Sequence, residues 1–73
     1  MEQIQSPVTG MVWKVLARVG DELEAGATVL IAESMKMEIS VEMPRPGRLT
    51  QLRVREEDLI NEGQVLAEFE AIS

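Results

Sequence analysis

Residues 33–38 read E-S-M-K-M-E, a lysine framed by two methionines and then by two glutamates. A lysine that only needs to be solvated requires no such frame. The chain has no histidine and no cysteine. That removes the commonest general base, the Ser-His and Cys-His pairs, and the ligands of most zinc sites. The chemistry left points to an amine. A lysine amine attacks only when neutral, and its ordinary pKa is about 10.4. An exposed turn gives the chain no means of activating it. Lys36 therefore suits the role of a target, offered to a second enzyme that deprotonates and modifies it, with Met35 and Met37 as shape cues. A plainer reading stands beside this one. Met37 is in phase with Ile39, Val41 and Met43, so it would also serve as the first core residue of a strand, and Lys36 as a solvated turn residue. Met35 is harder to absorb that way, because an apolar, adaptable side chain at a turn is a contact for a partner.

The elements that would position this amine are strands. In M-E-I-S-V-E-M (37–43) Met37, Ile39, Val41 and Met43 alternate with Glu38, Ser40 and Glu42, the pattern of a half-buried strand. Further strands are expected over 11–18, 27–33, 48–54 and 64–70, with a short one near 2–5. Turn residues separate them at Pro7–Gly10, Gly20-Asp21, Gly26, Pro44–Gly47, Asn61 and Gly63. Short, regularly spaced strands indicate an all-β sandwich or barrel. Residues 56–63 are read as a helical turn, too short for an independent helix. Strands 27–33 and 37–43 flank S-M-K, which makes them a hairpin with Lys36 at or beside its tip. A tight hairpin turn wants glycine or asparagine for positive φ, and Ser34–Met37 supply neither. A tight turn would strain Met35 or Lys36 by about 1–3 kcal/mol; a wider one would not.

The chain also repeats. A shift of 37 residues superposes Pro7 on Pro44, Gly10 on Gly47, Arg18 on Arg55, Asp21 on Asp58, Gly26 on Gly63 and Glu33 on Glu70. Apolar positions follow, with Val12 on Leu49, Val15 on Leu52, Ala17 on Val54, Leu23 on Ile60 and Val29 on Leu66. Two β units that cannot each bury a face would pack on one another about an approximate two-fold. The hairpin tip and the pair of chain ends then hold equivalent places. Trp13 falls on Thr50 and breaks the repeat, and the sequence assigns it neither to core nor to surface.

At 73 residues with 45% hydrophobic content, the chain is one domain, 1–73, with a marginal core. Without cysteines, no disulfide can staple it. A net charge of −6 argues against nucleic acid and for partners with basic grooves. No charged leader and no run of 18 apolar residues is present, so the reading is a soluble, cytoplasmic protein with no membrane partner, monomeric when isolated.

E-S-M-K-M-E resembles the E-A-M-K-M signature of biotinyl domains, the biotin carboxyl carrier modules of biotin-dependent carboxylases. The resemblance covers nearly the whole chain. P-V-T-G-M-V-W-K-V (7–15) is similar to the family's opening P-x-x-G strand. V-G-D-E-L-E-A-G-A-T-V-L-I-A-E (19–33) is similar to its V-x-x-G-D run, and P-R-P-G-R-L-T-Q-L-R-V (44–54) with D-L-I-N-E-G-Q-V-L (58–66) to its second half. The resemblance implies a flattened antiparallel β-barrel of two four-stranded sheets with quasi-two-fold symmetry. It implies biotin in amide linkage on Lys36. Met35 and Met37, with Glu33, Ser34 and Glu38 around them, would be read by a biotin protein ligase. The protein would be a non-catalytic carrier of carboxyl groups between a biotin carboxylase and a carboxyltransferase. Ser34 stands where the family usually has alanine. Val12 runs to Gly20-Asp21 without an insertion, so the protruding thumb of some carriers is not expected, and the resemblance does not take in the Ala/Pro-rich linker of many carriers. A lipoyl domain shares the fold and would carry acyl groups in a 2-oxoacid dehydrogenase complex, but its hairpin typically has an acidic residue before the lysine, where this chain has Met35. An unmodified hairpin module that only joins proteins is a further alternative, in which Lys36 stays a free amine.

Overall fold

Alternation of apolar and polar side chains, broken by glycine and proline, gives eight short strands in the computed structural model, which describes residues 1–72; the last residue of the expected 1–73 unit lies outside the described residues. The strands are β1 (Glu2–Gln5), β2 (Gly10–Val15), β3 (Glu22–Leu23), β4 (Thr28–Ser34), β5 (Met37–Glu42), β6 (Gly47–Leu52), β7 (Leu59–Ile60) and β8 (Val65–Ala71). They form two antiparallel four-stranded sheets, ordered β1-β8-β6-β3 and β5-β4-β2-β7. Exchanging β1 with β5, β2 with β6, β3 with β7 and β4 with β8 converts one order into the other. The 37-residue repeat is therefore a structural two-fold, and the flattened sandwich expected from the sequence is what forms.

The symmetry extends to irregularities. Each central strand carries a bulge, at Trp13 in β2 and at its mate Thr50 in β6. The Asp21 carboxylate accepts the Arg18 amide at 2.9 Å, and Asp58 accepts the Arg55 amide at 2.9 Å. Gly26 and Gly63 hold φ of 86° and 85° with open space where a Cβ would point, so both are required by backbone conformation rather than by crowding. Gly10 and Gly47 serve a different need: a Cβ on Gly10 would stand 2.2 Å from the Glu33 carbonyl oxygen, and one on Gly47 2.5 Å from the Phe69 ring. Both glycines let a strand start press against the end of its neighbour.

The core lies between the sheets and includes Ile4, Val12, Val29, Leu30, Val41, Met43, Leu49, Ile60, Leu66 and Phe69. Volume is balanced across the two-fold. β4 brings Leu30 and Ala32 inward, whereas β8 brings their mates Ala67 and Phe69. Each strand thus buries one large and one small side chain, in opposite order, at these equivalent positions.

Two expectations need correction. The helical turn expected over 56–63 does not form. Glu57 adopts a positive φ of 75°, and the chain continues into β7. The Asp58 side chain and the Glu57–Val12 backbone hydrogen bond of 2.7 Å redirect the segment onto β2, as Asp21 and Gly20 direct β3 onto β6. Met37 is also not a core residue. It shares a face with Ile39 and Val41, but burial falls along the strand from 4% exposure at Val41 to 65% at Met37. The hairpin runs past the end of the core.

Candidate functional site

The hairpin ladder pairs Ala32 with Ile39, Glu33 with Glu38 and Ser34 with Met37. Met35 and Lys36 alone connect the strands. Their φ values are 54° and 63°, both left-handed, which defines a type I′ turn whose twist matches that of the flanking strands. The tight alternative is the one realised, and the chain reaches it without glycine or asparagine. Each left-handed residue costs about 1–2 kcal/mol.

Three contacts hold this strained turn in place. The Ser34 hydroxyl donates to the Thr9 carbonyl at 2.9 Å. Thr9 is itself fixed, because its hydroxyl accepts the Glu62 amide at 3.0 Å. The bare Cα of Gly10 lies against the Glu33 backbone. Ser34 thus does more than fill the place of a small residue. Thr9 and Gly10 are positioning residues that the sequence reading did not single out, although the aligned glycine of the repeat was a signal for one of them.

The structure brings all six expected residues, Glu33 to Glu38, to the last rungs and tip of one hairpin. Met35 is 92% exposed, and Lys36 and Met37 are exposed beside it. Among the described residues no carboxylate lies within ion-pair distance of Lys36, so its amine is uncommitted. The other lysine of the sequence, Lys14, sits in the β2 bulge with its Nζ 5.8 Å from the Trp13 ring centroid. Glu33 and Glu38 face one another directly, a like-charge pair that disfavours the isolated hairpin.

The site is a protrusion, not a pocket. An open cleft of about 410 Å³ lies elsewhere, between the sheet edges β1 and β5. Its lining pairs Gln3 with Ser40, Ile4 with Val41, Gln5 with Glu42 and Pro7 with Pro44, so it follows the two-fold and includes no residue of the turn. Among the described residues no helix is long and apolar enough to cross a membrane.

Comparison with known proteins agrees with this geometry. The family model described as "Biotin-requiring enzyme", covering biotin and lipoyl attachment domains, matches residues 2–69. The chain is 44% identical over 62 residues to the biotin/lipoyl attachment protein of Bacillus subtilis, covering 85% of each. It is 33% identical over 72 residues to the urea amidolyase of Saccharomyces cerevisiae, covering 99% of this chain and 4% of that one. A single-chain, multi-domain long-chain acyl-CoA carboxylase superposes with a TM-score of 0.92 at 25% identity, covering 97% of this chain and 7% of that one. The chain thus spans most of one small relative and a small fraction of the large ones. By its sequence, its two-fold sandwich and its lysine hairpin, the chain belongs to the biotin/lipoyl attachment family.

Proposed function

We propose that residues 1–73 form a biotin carboxyl carrier module and that Lys36 is its attachment point. The observation that carries this reading is the type I′ turn at Met35-Lys36, strained and yet held by Ser34, Thr9 and Gly10. Strain retained at an exposed tip marks a place where function outweighs local stability. The residues fit the group: the Lys36 amine is exposed and has no ion-pair partner among the described residues, and the turn projects it beyond the core, where an amide to the biotin carboxyl meets no steric bar. Bound there, the ureido ring would accept and release a carboxyl group.

The chain's own part is mechanical. A rigid hairpin holds the anchor atom at a fixed distance from the body. Tethering raises the local concentration of the cargo at each catalytic site without new contacts. The carboxylase and transferase sites, and the ligase that activates the biotin carboxyl with ATP, belong to other domains or chains. Met35 and Met37, both exposed, suit recognition by the ligase, with Glu33, Ser34 and Glu38 completing the segment. Met35 in the place before the lysine favours biotin over lipoate. Expression in cells with an active biotin ligase tests this. A streptavidin-positive chain that turns negative in Lys36→Ala supports the reading. A Lys36→Ala chain that stays positive contradicts the site, and a wild-type chain carrying lipoyl contradicts the cofactor.

A further inference from the structure

The two-fold supplies an internal control for the outer faces of the sheets. On the outer face of β5-β4-β2-β7, four neighbouring positions are apolar. Leu59 pairs with Met11, the Trp13 bulge follows, and Ile31 lies across from it. Leu59 is 81% exposed and Trp13 40%, while Met11 and Ile31 are half-buried. The mates of these four on the other sheet are Glu22, Arg48, Thr50 and Glu68. There Arg48 donates to Glu22 at 2.9 Å, the Arg53 Nε donates to Glu68 at 2.8 Å, and the Thr50 hydroxyl donates to the Glu68 carbonyl at 3.1 Å. Glu22, by hydrogen bond and then by charge, holds the Arg48 guanidinium above its ordinary pKa. One face is closed with ion pairs suited to water, and its twin is apolar at the same backbone positions.

The charges around the apolar face are acidic except for Lys14, which the bulge turns outward beside Trp13 with its Nζ 5.8 Å from the ring centroid. Glu70 lies across from Arg48, but its mate Glu33 lies across from Met11 on one side and Glu38 on the other. Among the described residues neither Glu33 nor Glu38 has an ion-pair partner. Glu56 and Glu57 lie at the far end of the patch, where Glu56 accepts the Val15 amide and Glu57 donates its amide to Val12. A second copy would bring four glutamates and one lysine, Lys14, against the same set in a two-fold contact, which the net like charge opposes.

We propose that this face is a docking surface for a different protein, one that presents an apolar patch rimmed by lysine or arginine. The face is continuous with the hairpin through Glu33 and Glu38, so a protein seated on it has the Lys36 tip at its edge. The proposal rests on the carrier reading in assigning the occupant as the biotin carboxylase that works on the loaded arm. Apolar contact at the centre would supply affinity, and the acidic rim would set approach and orientation.

The test exchanges residues for their own mates. Trp13→Thr and Leu59→Glu change outward-facing side chains, and each variant is first shown by its melting curve to be folded at the assay temperature and by intact mass to carry one biotinyl group. With the loaded carrier as substrate of a biotin carboxylase, each raises KM about tenfold or more and leaves kcat within about twofold. Thr50→Trp and Glu22→Leu on the opposite face leave both constants unchanged. The single tryptophan gives a readout free of turnover: 5-fluorotryptophan at Trp13 in a Lys36→Arg chain shifts its resonance when the carboxylase is added, and less so at high salt. A KM insensitive to Trp13→Thr and Leu59→Glu overturns the docking surface, as does equal sensitivity on the opposite face. Concentration-dependent dimers that Leu59→Glu dissolves would make a second copy the occupant and overturn it too. A wild-type chain that never gains a biotinyl group refutes the carrier reading instead, and the assigned occupant falls with it.

Discussion

The hairpin end and the terminal end of this protein are the same structure built twice, and they differ in what happens after the shared strands. At the terminal end β8 stops, and the Ile72 amide donates to the Pro46 carbonyl at 3.0 Å. At the hairpin end the equivalent carbonyl belongs to Thr9 and is taken by the Ser34 hydroxyl at 2.9 Å. The residue equivalent to Ile72 is Met35, which turns left-handed and leads into Lys36. One carbonyl, filled by a backbone donor on one side and a side chain on the other, marks where the fold's requirement ends and a separate one begins. Features present in both halves serve the sandwich. Features present in one half are candidates for function.

The comparison breaks hardest where both halves need the same glycine. Gly10→Ala would push a Cβ to 2.2 Å from the Glu33 carbonyl oxygen. It should lower unfolding free energy by about 3 kcal/mol in urea titration. Gly47→Ala, blocked first by the Phe69 ring at 2.5 Å, should cost less. The next effect has the opposite sign. Met35→Asn with Lys36→Gly supplies the turn that a type I′ hairpin prefers, and it should stabilise the protein by about 1–2 kcal/mol while abolishing modification. No gain in melting temperature would mean that the turn carries no strain.

Glu57 sharpens the comparison further. It occupies the place of Gly20, and both hold positive φ, 75° and 99°. Glu57→Gly relieves a left-handed side chain at some cost in chain entropy, so it should stabilise by about 0.5–1 kcal/mol in denaturant titration. Met37→Thr is the smallest change. With Met37 65% exposed, stability should move by less than about 0.5 kcal/mol while biotinylation slows. A clear loss of stability would return Met37 to the core.

Much of this was legible because alternation and repetition are properties of the chain itself. Alternation over 37–43 fixed the faces of β5, and the shift of 37 residues foretold the two-fold. Alternation says which side a residue faces but not how far the core extends along a strand, which is why Met37 looked buried. β3 and β7 have two residues each, too few for any period. The repeat already contained their signal in the aligned Asp21 and Asp58, whose side chains close the preceding turns. Trp13 was opaque because a bulge turns it and Lys14 outward together, between the inward Val12 and the half-buried Val15.

The most direct test of the account is a mass and peptide map of the purified chain after incubation with a biotin protein ligase, ATP and biotin. Lys36 and Lys14 are the two lysines of the sequence, so the map has few possible answers. The expected result is a gain of one biotinyl group, confined to Lys36. An unchanged mass, or a label on Lys14, would contradict the claim that the strained hairpin exists to present its amine.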